Sequence, residues 1–112
     1  MDCIFCKIAA GDIPASKVYE DDKMLVFNDL NPQAPVHLLA IPKAHIPSAN
    51  HITAENAALL AHLFAVIPSL VQPQGLQSGY RIVNNCGEHG QQSVQHLHFH
   101  ILGGRQLQWP PG

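Results

Sequence analysis

Three histidines alternate with apolar residues in His96-Leu97-His98-Phe99-His100, and the apolar pair Ile101-Leu102 follows them. On an extended chain alternate side chains face the same way. The three imidazoles therefore share one face while Leu97, Phe99 and Ile101 share the other. One histidine among apolar residues is usually a hydrogen-bonded core residue, but packing alone gives no reason for three on one face. Two chemistries suit such a row. Neighbouring imidazoles can converge on zinc and leave a coordination position open for water. Alternatively, one neutral imidazole can attack phosphorus while its neighbours orient it and neutralise the phosphate. The row by itself does not choose between them.

A second cluster opens the chain, where Cys3 and Cys6 are spaced one helical turn apart. At that spacing both thiolates can reach one ion. Two small thiols packed in a short apolar helix would read the same way. With Cys86 the cysteines number three, and the segment Met1-Asp2-Cys3-Ile4-Phe5-Cys6-Lys7 lacks the basic start and apolar run of a signal peptide. The pair therefore reads as metal ligands or core thiols rather than a disulfide framework, and a cytoplasmic location is the expectation.

These residues must be positioned by short elements. Cys3 to Ala10 carries Ile4, Phe5, Ile8 and Ala9 at helical spacing, with Gly11 suited to a left-handed cap. Lys17 to Glu20 and Met24 to Asn28 read as strands joined by an Asp21-Asp22 turn. Val36 to Ile41 reads as a third, largely buried strand. Thr53 suits the N-cap of a helix bearing the stripe Leu59, Leu60, Leu63, Phe64, Ile67 and Leu70, which Pro68 should kink or end. Tyr80 to Asn84 and Val94 to Leu102 complete five strands. Strands and helices do not alternate regularly, so the expected class is α+β with a mainly antiparallel sheet.

A length of 112 residues, 46% of them hydrophobic, suits one domain covering the whole chain. So short a chain often gains stability from a metal or a partner subunit. The formal charge is −2, and the six Lys and Arg are spread singly. Nucleic-acid binding normally needs a clustered basic surface, so no nucleic-acid partner is expected. No apolar run approaches the roughly 18 residues of a membrane span, so no membrane partner is expected either. Phosphate, if bound, would fall to backbone N–H groups and to the eight histidines.

The histidine row resembles the motif that names the histidine-triad (HIT) family. The likeness to its Hint branch extends through Cys3-Ile4-Phe5-Cys6-Lys7-Ile8, Gly11-Asp12-Ile13-Pro14-Ala15 and Tyr19-Glu20-Asp21-Asp22. It continues in Pro32-Gln33-Ala34-Pro35-Val36-His37, Ile41-Pro42-Lys43-Ala44-His45-Ile46 and the ending Leu102-Gly103-Gly104-Arg105-Gln106-Leu107-Gln108-Trp109-Pro110-Pro111-Gly112. That ending is unlike the dinucleoside polyphosphate hydrolase branch. His100 stands where the sugar-1-phosphate nucleotidylyltransferase branch usually has Gln. The implied fold is a five-stranded antiparallel sheet with two helices, paired into a homodimer through a continuous sheet. Residues 105–112 would form a C-terminal tail near that interface.

The resemblance also implies roles. His98 would be the nucleophile, transiently nucleotidylated. His100 would contact the phosphate, and His37 would orient or polarise the site. Asn85 and Ser93 would hold phosphate oxygens and the leaving group, and Asp29 the ribose hydroxyls. Ile4, Phe5, Ile8, Phe27 and Leu30 would form the purine slot, with Gln92 and Trp109 also on the substrate side. Taken singly, Asn85 and Ser93 read as turn formers, Asp29 as a loop start, and His37, Ile4, Phe5 and Ile8 as core.

The implied reaction is hydrolysis or transfer at the α-phosphorus of a purine nucleoside 5′-phosphoramidate or a related adduct of AMP or GMP. It needs no cofactor for catalysis. A structural zinc would be held by Cys3, Cys6, His45 and His96. The rival enzyme is a zinc hydrolase with His96, His98 and His100 as ligands, and the rival non-enzyme a nucleotide-binding or interaction dimer. One departure stands out: Gln91-Gln92-Ser93 occupies a place where the family usually has Gly-Gln-Ser. A side chain at Gln91 restricts the backbone whose N–H approaches the phosphate.

Overall fold

A computed structural model describes residues 2–112. The elements run α1 (Ile4–Ala9), β1 (Lys17–Glu20), β2 (Met24–Asn28), β3 (Val36–Pro42), a 3₁₀ turn (Ala49–His51), α2 (Ala57–Leu70), β4 (Tyr80–Val83) and β5 (Phe99–Gly103). All strand pairs are antiparallel, in the order β1-β2-β3-β5-β4. The expected class, two helices on a five-stranded antiparallel sheet, is the observed one.

Alternation along the central strands makes two apolar faces. Met24, Val26, Leu38, Ala40, Phe99 and Ile101 pack under α2 with Leu63, Ile67 and Leu70. Leu25, Phe27, Leu39 and Ile41 point the other way and meet Cys3, Phe5 and Ile8 of the α1 segment. β2 and β3 are thus buried on both sides, which explains their nearly unbroken apolar runs. The sheet separates α2 from α1, and the histidines with chemistry lie on the α1 side.

Local chemistry sets the ends of the elements. The sulfur of Cys3 accepts from the Cys6 N–H at the start of α1, and Gly11 follows its end at φ +85°, the left-handed conformation expected there. In the β1–β2 turn, Asp21 Oδ1 accepts from the N–H groups of Lys23 and Met24. Its Oδ2 lies 2.6 Å from Nε2 of His62, so α2 is tied to the hairpin by a side chain with no assignable role in the sequence.

Several expectations need correction. The N-cap of α2 is Asn56, not Thr53. Thr53 and Asn56 exchange hydrogen bonds, each side chain accepting from the other's N–H, so Thr53 caps the turn before the helix. Pro68 lies inside α2, which continues to Leu70; buried Ile67 and Leu70 hold its last turn on the sheet. The third strand reaches Pro42, and the fourth stops at Val83 rather than Asn84. The fifth begins at Phe99, not Val94. The preceding segment is bonded elsewhere: the Leu97 N–H goes to the Ile46 carbonyl, and the Val94 carbonyl accepts from the Gln92 side chain. Among the described residues, no helix is long and apolar enough to cross a membrane.

Candidate active site

β3 and β5 bring the first two imidazoles together. In register, His100 faces Leu39, so His37 sits two residues along on the same face. Nε2 of His37 lies 2.8 Å from Nδ1 of His100. The proton positions follow from the remaining contacts. Nδ1 of His37 accepts the Gln33 N–H at 3.0 Å, so the His37 proton is on Nε2. That N–H donates to Nδ1 of His100, with a carboxylate oxygen of Asp29 3.5 Å away. Neutral His100 must then carry its own proton on Nε2, where it can donate.

His98 is fixed in the opposite sense. Its Nδ1–H donates to the carbonyl of His96 at 2.7 Å, leaving the Nε2 lone pair free. Among the described residues no buried side-chain nitrogen or oxygen lacks a partner. The unbonded Nε2 therefore reaches solvent, although the residue is only 3% exposed. Phe5 meets the ring edge-on at 5.1 Å, and the His100 ring lies 5.2 Å away on centroids. The arrangement supplies a nucleophilic nitrogen beside a neutral imidazole that can donate to phosphate.

Burial keeps the His100 and His37 rings neutral. His100 is lowered to about 4, first by desolvation and then by the neighbouring His98 and His37. His37 is lowered by desolvation, against the pull of Asp29. An unfolded histidine takes up its proton near 6.5, so between there and about 4 the unfolded chain binds a proton that folded His100 refuses. Stability should be whole above pH 6.5 and fall as pH drops, by roughly 3 kcal/mol on account of His100. Urea melts across this range test the shielding, and equal midpoints at pH 7 and pH 4.5 would refute it.

His96 leaves the row. Its Nε2–H donates to the Pro42 carbonyl at 2.8 Å, which turns the Nδ1 lone pair toward the cysteines. That atom is 3.4 Å from Sγ of Cys3, 3.5 Å from Sγ of Cys6 and 3.2 Å from Nδ1 of His45, itself 3.3 Å from Sγ of Cys6. A tetrahedral zinc with ordinary Zn–S and Zn–N bonds has ligand–ligand edges of about 3.3–3.8 Å. Four of the six donor–donor distances, 3.2–3.5 Å, lie in or just below that range, all four donors are within 4.8 Å of one another, and the Pro42 carbonyl is the partner a metal-binding imidazole usually has on its other nitrogen. Burial pushes the Cys6 thiol up, helped by its bond to Cys3. The rival scheme, one metal on His96, His98 and His100, does not match this geometry, because His96 is grouped with Cys3, Cys6 and His45.

The other expected residues divide. Phe5, Ile8 and Phe27 are buried together under α1, with the Phe5 and Phe27 rings edge-to-face at 5.7 Å. Ile4 is exposed, and Leu30 (99%) and Trp109 (80%) stand almost wholly in solvent, so the chain by itself does not gather them into a closed slot. Asp29 accepts the Asn31 N–H, as a loop-starting residue does, while also flanking His37. Asn85 donates to the Gly90 carbonyl, closing its own loop. Ser93 is exposed on the rim of a cavity of about 390 Å³ shared with Cys3 and His45. The Gln92 side chain is committed to backbone: it donates to the carbonyls of Pro47 and Val94 and accepts the Gly87 N–H. It is therefore a brace for the loop rather than a free substrate contact. Gln91 takes φ 63°, a left-handed conformation costly for a residue with a Cβ. Asn84, with no role in the sequence reading, donates to the His98 carbonyl at 2.9 Å.

Comparison with known proteins bears on this geometry. Residues 2–108 match a family model described as the scavenger mRNA decapping enzyme C-terminal binding domain. A HIT-like protein of Synechococcus elongatus, described as uncharacterized, is 53% identical over 99% of this chain and 97% of its own length. The crystal structure of a HIT family hydrolase from Legionella pneumophila superposes with a TM-score of 0.96 at 50% identity, covering 99% of this chain and all of that one. A histidine triad protein from Clostridium difficile gives 0.92 at 51% identity, covering 96% and 95%.

Proposed function

The chain belongs to the histidine-triad family, and from that premise we propose that it is a nucleotide hydrolase of the Hint type, cleaving purine nucleoside 5′-phosphoramidates through His98. The observation that carries this reading is the tautomer of His98, whose Nδ1 proton is engaged and whose Nε2 lone pair is open. Nε2 attacks the α-phosphorus, the P–N bond to the amine breaks, and the amine leaves with a proton drawn from water. Water then displaces the histidine and releases the nucleoside monophosphate. His100, kept neutral by burial, donates to a phosphoryl oxygen from Nε2, and His37 fixes its tautomer through Nδ1.

Cys3, Cys6, His45 and His96 would hold a structural zinc, which fastens α1 to the segment carrying His98 and takes no part in the displacement. Mass spectrometry of protein quenched during turnover of adenosine 5′-phosphoramidate tests the central step. A nucleotidyl adduct on the His98 peptide supports it, and turnover without one refutes it. Nucleotide binding without turnover would leave the interaction-dimer reading.

The homodimer is part of the proposal. β4 is an edge strand with Ile82 exposed, and Arg81 draws the tail along it by donating to the Gln108 carbonyl at 2.7 Å. Trp109, large and exposed in one chain, is explained as an anchor buried on pairing. Deleting Gln106 to Gly112 should leave a folded protein. It should also shift the ratio of kcat/KM between two phosphoramidates of one nucleoside by about tenfold, some 1.4 kcal/mol of discrimination. An unaltered ratio would show that the tail does not read the leaving group.

A further inference from the structure

Cys3 and Cys6 are arranged for a second chemistry that the hydrolase reading does not use. Cys3 is the extended N-cap residue of α1, Cys6 lies within the first turn, and the Cys6 N–H points at the Cys3 sulfur at 3.3 Å. Both sulfurs belong to a group of donor atoms within 4.8 Å of one another. Side chains three apart at a helix start have the spacing that a disulfide requires, with little backbone movement. Access exists from two sides. Cys6 is partly exposed, and Cys3 and His45 form part of the wall of the cavity of about 390 Å³.

We propose that this pair is a site of reversible oxidation by hydroperoxides, closing a Cys3–Cys6 disulfide. One sulfur of the pair attacks the peroxide oxygen as the thiolate and becomes a sulfenic acid as the first water leaves. The other then attacks that sulfur, and the second water leaves as the S–S bond forms. With hydrogen peroxide, two thiols lose two electrons and two protons, and one peroxide becomes two waters. Reduction by a dithiol reverses the change.

The bridge would spend two of four metal donors, so a bound zinc is expelled as it forms. It would also reach the nucleophile. Phe5 lies between the two cysteines in the chain and packs edge-on against both His96 at 5.9 Å and His98 at 5.1 Å. The carbonyl of His96 holds the His98 proton. Closing the bridge draws together the two side chains that flank Phe5 in the chain, and Phe5 is the wall behind His98.

The test uses the full chain carrying Cys86→Ser, which removes the third thiol and any pairing through it. Reduced protein is exposed to equimolar hydrogen peroxide and then followed by thiol titration, peptide mass, metal release to a chromogenic chelator, and thermal melting. The expected result is an N-terminal peptide lighter by two hydrogens, restored by dithiothreitol. Any metal should be released in step with the bridge, and the melting point should fall. Oxygen added irreversibly to either cysteine, or thiols that survive peroxide, would overturn the proposal. Turnover should fall at least about tenfold with the bridge and return on reduction. A complete bridge with unchanged turnover would overturn the link to His98. Should the reduced protein show no turnover, the phosphoramidase reading fails while the thiol, mass and melting results still decide this one.

Discussion

His98→Ala should abolish turnover, with kcat/KM at least roughly a thousandfold lower, or about 4 kcal/mol of lost transition-state stabilisation. The substitution removes the one imidazole nitrogen in the row that has a lone pair and no partner. Neither neighbour can take over. His100 Nδ1 is occupied by His37, and His96 Nδ1 faces the cysteines. Affinity for the nucleoside monophosphate should change little, because in the proposed reading base and ribose lie against other groups and the nucleophile acts on the barrier. The check pairs steady-state kinetics with calorimetric binding of AMP, and circular dichroism shows that the variant is folded. Residual activity within about tenfold of the parent, some 1.4 kcal/mol, would rule out His98 as the attacking group.

The faces of the sheet were legible in the sequence because period two survives even where a ladder does not. Leu97 and Phe99 fall under α2 and His98 and His100 on the other side, although β5 begins only at Phe99. The first two strands have their expected bounds, since apolar runs closed by polar turns leave little choice of register. What alternation could not tell is which distant group each side chain would meet. His96 departs from its row because a carbonyl of β3, 54 residues away, and two sulfurs of the α1 segment, 93 and 90 residues away, are offered to it. Gln92 looked like a residue for substrate and is instead consumed by three backbone groups of its own loop and of the Pro47 segment. His62 pairs with Asp21 across α2 and the hairpin, and no local pattern announces that bond. Leu30 and Trp109 lie apart from the buried apolar groups, at 99% and 80% exposure. Nothing in the local apolar pattern of the sequence says which such residues the fold leaves in solvent.

With zinc supplied, Cys3→Ser should melt more than about 10 °C below the parent, corresponding to roughly 2–3 kcal/mol, and should not retain the ion. The four donors come from three separate places in the chain: the N-cap and first turn of α1, the segment after β3, and the residues before β5. An ion held among them ties α1 to two distant segments, so its binding free energy is added to the folded state alone. Serine offers a harder, less acidic oxygen in place of thiolate and leaves three ligands where a closed site needs four. Without the ion, two imidazole nitrogens at 3.2 Å and the remaining thiol must share protons in a buried space. Turnover per folded molecule should stay within about threefold, since Nδ1 of His98 is held by a backbone carbonyl rather than by the metal. Stripping zinc from the parent with a chelator should bring its melting point down to that of the variant. If the chelated and untreated parent melt together, the four residues hold no structural ion, and the helix is kept in place by Phe5 and Ile8 alone.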